Sequence, residues 1–151
     1  MTAMKSTTTT TELPYEICLE INETCDNARA ITIARDMART IGFGESDEFL
    51  IATVVSELAT NIFRYAGAGH ITLRRIQEGE KIGIEVIAVD SGPGIADVEQ
   101  AMQDHYTTGK SLGLGLPSVK RIMDDFSISS QTGCGTTCRA RKWLDIPYAS
   151  Y

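Results

Sequence analysis

Between Tyr15 and Ile21 apolar and polar residues alternate, with Tyr15, Ile17, Leu19 and Ile21 on one side and Glu16, Cys18 and Glu20 on the other. A period of two is the pattern of a strand with one buried face. The spacing then changes. Ala30, Ala34, Met37, Ala38 and Ile41 recur at helical intervals, Asp26 or Asn27 can cap the start, and Gly42 and Gly44 end the run. A second helix is predicted from Ser46, a candidate N-cap, with Asp47 and Glu48 complementing its positive end. It runs to Tyr65 or Ala66 and stops at Gly67-Ala68-Gly69. Residues 71–76 read as a strand and Glu78-Gly79-Glu80 as a turn. Residues 82–89 form a near-continuous apolar run, expected to be a strand buried on both faces.

The second half carries more glycine. Asp90-Ser91-Gly92-Pro93-Gly94 leads into a short helical stretch at 96–103, a loop at 104–115 and a helix at about 116–125. Pro117 suits the first turn of that helix, where its missing N–H would have been unpaired anyway. A hairpin closes the pattern, with strands at 126–131 and 136–143 turned by Thr132-Gly133-Cys134-Gly135. No repeat or interdomain linker is present. The expected fold class is α/β, a two-layer sandwich of a mixed sheet with helices on one face. Residues 1–12, with the polar run Thr7 to Thr11, read as a disordered lead-in, 13–144 as the domain and 145–151 as a tail.

Composition narrows the function classes. A chain of 151 residues can bury a sizeable core as one domain without disulfides or metal. Net charge is −6, and the longest basic cluster is Arg139, Arg141 and Lys142, so no basic stripe for nucleic acid is present. No apolar run reaches membrane-spanning length, and the polar start is no signal peptide. Cys18, Cys25, Cys134 and Cys138 lack paired metal-site spacing and read as reduced thiols. His70 and His105 form no metal or triad pattern with them. A cytoplasmic location is expected.

Four clusters can carry chemistry. Glu57 and Asn61 lie one helical turn apart, with Thr53, Thr60 and Arg64 near the same face, while Ile51, Val54, Val55, Leu58, Ile62 and Tyr65 form a separate stripe for the core. A carboxylate and an amide so placed can deprotonate a hydroxyl and ligate Mg²⁺; alone, they read as a solvated polar face. Asp90-Ser91-Gly92-Pro93-Gly94 ends the buried strand, where an acid can accept from an exocyclic amine and glycines admit a flat ring. Those residue types also make an ordinary turn.

The third cluster, Thr107-Thr108-Gly109-Lys110-Ser111-Leu112-Gly113-Leu114-Gly115-Leu116, precedes a helix, so its amides and Lys110 suit a phosphate chain. It is no Walker loop, because Asp104 stands where Gly is needed. It is no dinucleotide fingerprint either, because Ser118 stands where the third Gly belongs. Gly133-Cys134-Gly135-Thr136 is the fourth cluster, which by itself is a hairpin turn.

In this order, with a strand ending at the second cluster, the four resemble the GHKL ATP-binding family, which includes gyrase B, MutL and the histidine kinases. Glu57-Leu58-Ala59-Thr60-Asn61 is similar to its N box, Asp90-Ser91-Gly92-Pro93-Gly94 to its DxGxG box, Gly113-Leu114-Gly115-Leu116 to its second glycine box, and Gly133-Cys134-Gly135-Thr136 to its terminal GxGT. The likeness covers Tyr15 to Trp143 and implies the Bergerat sandwich, with a mobile lid around 104–112. Within the family, Ser56 to Gly67, Tyr106 to Lys110, Leu116 to Arg121 and Lys142-Trp143-Leu144 most resemble the RsbT-type switch kinases of partner-switching pathways, relatives of RsbW and SpoIIAB.

The resemblance implies roles. Glu57 becomes the general base and Asn61 the Mg²⁺ ligand. Asp90 holds the adenine amine of ATP, Gly92 and Gly94 shape its pocket, and Thr136 supports it. Gly113, Leu114, Gly115 and Leu116 hold phosphates with their amides, with Lys110 and Arg64 as weaker candidates. It also implies a serine/threonine kinase acting on STAS-domain proteins of a stressosome and activating a downstream serine phosphatase. The alternatives are an anti-sigma factor kinase that sequesters a sigma subunit and an ATP-gated binding module without transferase activity. Glu57 speaks against the last, since a pure binder needs no base.

Overall fold

The computed structural model describes residues 15–95, 97, 98, 102 and 115–145. Five strands and three helices follow in the order β1 (Glu16–Ile21), α1 (Thr24–Ile41), α2 (Glu45–Ala66), β2 (Gly69–Glu78), β3 (Lys81–Asp90), α3 (Gly115–Ile122), β4 (Asp125–Gln131) and β5 (Gly135–Trp143). The sheet order is β1-β2-β3-β5-β4. Every pairing among these strands is antiparallel, which corrects the expected mixed sheet. The cause is the last hairpin. The connection through α3 returns β4 in the direction of β3, but β5 inserts between them and pairs with both.

Local chemistry sets the helix ends. The N-cap of α1 is Glu23, three residues before Asp26: Asp26 sits at the third helical position and its carboxylate accepts from the N–H groups of Asn22 and Glu23, both at 2.9 Å. Those bonds hold the Asp26 carboxyl below its ordinary range. At the other end the Gly42 N–H donates to the Ala38 and Arg39 carbonyls. α2 starts after Gly44 and is closed by Gly67, whose φ is 77°. That left-handed turn suits glycine, which has no Cβ to crowd the preceding carbonyl.

The core lies between the helices and one face of the sheet. Leu19 and Ile21 of β1, Ile71 and Leu73 of β2, Ile84, Val86 and Ala88 of β3 and Cys138 and Ala140 of β5 meet Ala34, Met37, Val54, Val55, Leu58 and Ile62 from the helices. Burying each large aliphatic side chain contributes about 1.5–3 kcal/mol. Glu48 ties α2 to α1 by accepting from Arg39 Nη2 at 2.8 Å and Arg35 Nε at 3.1 Å.

On the opposite face no helix among those described covers β3, yet Glu85 is 0% exposed. Arginine stems bury it instead. Arg74 and Arg141, its cross-strand neighbours, both donate to its carboxylate, and Arg139 Nε lies 3.8 Å away. The expectation that β3 is buried on both faces therefore holds at Glu85, but by ion pairing rather than by a second layer.

Candidate functional site

Cross-strand register builds the site. On the core face, Leu73, Val86, Ala140 and Phe126 lie side by side across β2, β3, β5 and β4. The next row is Ile71, Ala88, Cys138 and Ile128, and the one after is Gly69, Asp90, Thr136 and Ser130. An apolar floor thus turns polar within one step. Side chains opposite one another in an antiparallel pair share a face, so the strand-ending acid, the terminal threonine and a serine point to the same side as the core.

The C-terminal part of α2 forms the wall above this floor. Leu58, Asn61, Ile62 and Tyr65 line a cleft with Ala88, Asp90, Ile95, Thr136 and Cys138. Gly69 and Gly92 let the wall come close. A Cβ on Gly69 would stand 2.8 Å from Ile62 Cγ2, and one on Gly92 would stand 2.6 Å from Ala66 Cβ. Tyr65 was expected in the core stripe, but it is 40% exposed and lines the cleft. Its position one residue before the end of α2 carries it past the apolar rows.

The second cluster is fastened at both ends. The Gly92 N–H donates to Asp90 Oδ1 at 3.0 Å, and the Gly133 N–H donates to the Pro93 carbonyl at 2.8 Å. The Ile95 N–H donates to Ser130 Oγ at 2.7 Å, and Ser130 Oγ lies 2.8 Å from Thr136 Oγ1. Gly94 and Gly135 have φ of 78° and 82°. A Cβ on the first would meet the Gln131 carbonyl and one on the second the Asp90 carbonyl. So the DxGxG-like loop and the last hairpin, read separately from the sequence, form one packed unit.

Electrostatics follow from burial. The Cys138 thiol, 4% exposed and close to Asp90, is pushed up to about 12 by desolvation first and by that carboxylate second, so it stays protonated. Glu57, half-buried one turn back along α2, is raised above the ordinary glutamate range by desolvation, with the Arg64 charge opposing. A carboxylate so perturbed is a stronger base than a solvated one.

Not every expected residue joins the cleft. Glu57 is outside its lining. Leu116 is 5% exposed within the hydrophobic cluster, which leaves its backbone N–H, and not its side chain, for any ligand. Gly115 opens α3 and is half-buried. Lys110, Gly113, Leu114 and the segment 104–112, where a lid was expected, lie outside the described residues. Among the described residues no group of three or more His, Cys, Asp or Glu is placed to hold a metal ion, and no helix is long and apolar enough to cross a membrane.

Sequence reasoning missed Ser130, Ile95 and Cys138. Ser130 had a signal: it takes the inward position of β4 after Phe126 and Ile128, where the period of two calls for an aliphatic side chain.

Residues 21–142 match the histidine kinase-like ATPase domain. The chain is 44% identical over 127 residues to the serine/threonine-protein kinase RsbT of Bacillus subtilis (strain 168), covering 84% of this chain and 96% of that protein. It is 40% identical over 100 residues to the anti-sigma F factor of Thermoanaerobacter sp. (strain X514), covering 62% of this chain and 68% of the factor. In fold it is similar to the mycobacterial sensor histidine kinase MprB, with a TM-score of 0.51 at 16% identity over 85% of this chain and 97% of that one. The chain belongs to the histidine kinase-like ATPase family.

Proposed function

We propose that the protein is an ATP-dependent serine/threonine protein kinase of a partner-switching pathway. The observation that carries this reading is the row Asp90–Thr136–Ser130, which puts hydrogen-bonding groups at the end of an apolar cleft walled by α2. An apolar slot with a carboxylate at its end suits a purine bearing an exocyclic amine. The phosphate chain then runs along α2 past Asn61 toward Glu57 and the N-terminal amides of α3, where partial positive charge favours anions.

Mg²⁺ fits the donor set. The Asn61 amide oxygen is a hard oxygen donor one helical turn from Glu57, and Mg²⁺ commonly takes few protein ligands and completes its shell with substrate phosphates and water. When bound, the ion would supply charge neutralisation at the phosphates. Asn61 holds that end of the cleft. Glu57 accepts the proton of a serine or threonine hydroxyl as its oxygen bonds to the γ-phosphorus, while the bond from that phosphorus to the β–γ bridging oxygen breaks and ADP leaves.

The 44% identity to RsbT over 96% of that kinase supports the kinase reading over an anti-sigma factor, whose match covers 68% of the factor. The substrates would be STAS-domain proteins. They and a downstream serine phosphatase would use overlapping surfaces at the end of α2, so that they exclude one another and phosphorylation of the substrate frees the kinase by adding negative charge against a chain of net charge −6. The test is incubation with labelled ATP, Mg²⁺ and the STAS proteins encoded beside this gene. Label should appear on a serine or threonine of one of them. Sequestration of a sigma subunit with no transfer would favour the anti-sigma reading.

A further inference from the structure

We propose that Ser130 is a positioning residue that fixes the direction of the Thr136 hydroxyl, and that this makes the cleft select adenine over guanine nucleotides. The inference rests on the nucleotide reading above and deepens it.

The argument is a count of protons. Ser130 Oγ has three neighbours within hydrogen-bond distance: the Ile95 N–H at 2.7 Å, the Gly135 carbonyl at 3.2 Å and Thr136 Oγ1 at 2.8 Å. A hydroxyl has one proton and two lone pairs. The Ile95 amide can only donate, so it occupies a lone pair. The Gly135 carbonyl can only accept, so all three contacts are satisfied together only when it takes the single Ser130 proton. The contact with Thr136 is then satisfied only if Thr136 donates to Ser130. That leaves Thr136 with lone pairs and no proton for the cleft it lines.

Asp90, directly across β3–β5 from Thr136, is also an acceptor, with Oδ1 already holding the Gly92 N–H at 3.0 Å. The end of the cleft therefore presents acceptors on neighbouring strands. An exocyclic amine brings two N–H groups to such an edge, whereas a purine carbonyl in the same place meets lone pairs and loses its hydrogen bonds to water. Thr136 is 9% exposed, so water can do little to relieve that mismatch. Free of Ser130, the same hydroxyl could turn and donate to a carbonyl. The serine lies on β4, the outermost strand of the order, one strand beyond Thr136.

The experiment compares Kd for ATP and GTP by calorimetry in the full chain, in Ser130→Ala and in Ser130→Thr. The native chain should prefer ATP. Ser130→Ala should lower the ATP-to-GTP preference about five- to tenfold, the size expected for redirecting one hydrogen bond. Ser130→Thr, which restores the hydroxyl on a strand that tolerates β-branching, should recover it. In a Thr136→Val background, Ser130→Ala should leave the preference unchanged, because there is no hydroxyl left to direct. If Ser130→Ala is too unstable to titrate, Ser130→Cys keeps the volume, weakens both roles of the hydroxyl and carries the same comparison. Equal weakening of both nucleotides, or an unchanged preference, would mean that Ser130 only braces the hairpin and would overturn the proposal. A native chain that binds neither nucleotide would instead bring down the nucleotide reading on which it rests.

Discussion

Asp90 on β3 stands directly opposite Thr136 on β5, and the residue before Thr136, Gly135, lies so close to the Asp90 backbone that a Cβ there would strike the Asp90 carbonyl. The acid at the end of the buried strand is therefore held by the hairpin that closes the chain. This coupling gives the Asp90–Gly94 loop and the last hairpin a mechanical role.

Replacing Asp90 by Asn should weaken ATP binding about 30-fold, or about 2 kcal/mol, because a buried amine loses its charged acceptor and the new amide can present its own N–H. The fold should persist, since the amide oxygen can still accept from Gly92, as Asp90 does at 3.0 Å. Calorimetry alongside a thermal melt checks both parts. Native affinity in the variant would remove Asp90 from the site.

Glu57→Gln should leave ATP affinity within a few-fold and reduce phosphoryl transfer by about 10²–10⁴, the range for loss of a general base. The pH dependence has a definite sign. Desolvation raises the Glu57 pKa, and the base must be ionised, so transfer should decline as pH falls through a value above the ordinary glutamate range. In Glu57→Gln that acid limb should vanish from the pH–rate profile. A profile identical in the two proteins would return this helix face to a structural role.

The two glycines of the hairpin should respond differently to Ala. Gly133 and Gly135 share positive φ, 81° and 82°, but a Cβ on Gly133 meets open space while one on Gly135 meets the Asp90 backbone. Gly133→Ala should cost about 1 kcal/mol, the conformational penalty alone. Gly135→Ala adds a clash with main chain and should cost about 3 kcal/mol, with nucleotide binding impaired. Urea midpoints distinguish them, and equal costs would show that the contact with Asp90 yields easily.

Acid should loosen the joint between α1 and α2. Arg39 first, and Arg35 after it, hold the Glu48 carboxyl below the ordinary range. Its folded-state pKa is thus lower than its unfolded one. The stabilisation is complete above about pH 4.3, the unfolded value, and is lost as pH falls through the folded one. Glu48→Gln should lower Tm at pH 7, with the gap from the native protein closing as pH approaches 3. A gap that stays constant over that range would mean that the carboxylate charge contributes nothing to the joint.

Much of the chemistry was legible along the chain because it resides in residues whose types are dictated locally. Glycine marks the left-handed turns at Gly67, Gly94 and Gly135, and Asp90 announces the end of an apolar strand. The order of elements also followed from periodicity, with ends displaced by a few residues: α1 starts at Thr24 because Asp26 caps from inside the first turn, and β2 extends to Gly69 and Glu78 because its partners do. What periodicity cannot supply is which strands become neighbours. Insertion of β5 between β3 and β4 made the sheet antiparallel throughout the described strands, and put Thr136 next to Asp90 with Ser130 beyond it.

The same division holds for side chains. Ile51 and Leu58 lie in the core as their helical spacing requires, but Tyr65 on the same stripe faces the cleft, since the sheet rows it would cover have turned polar there. By itself the sequence determined the backbone conformations, the amphipathic faces and the chemical inventory, all set by interactions within a few residues. Only the tertiary structure decided register: contacts between residues 35 or 56 positions apart, such as Ile95 with Ser130 and Glu85 with Arg141, arise when separate apolar faces share one core, and no local pattern encodes which positions then meet.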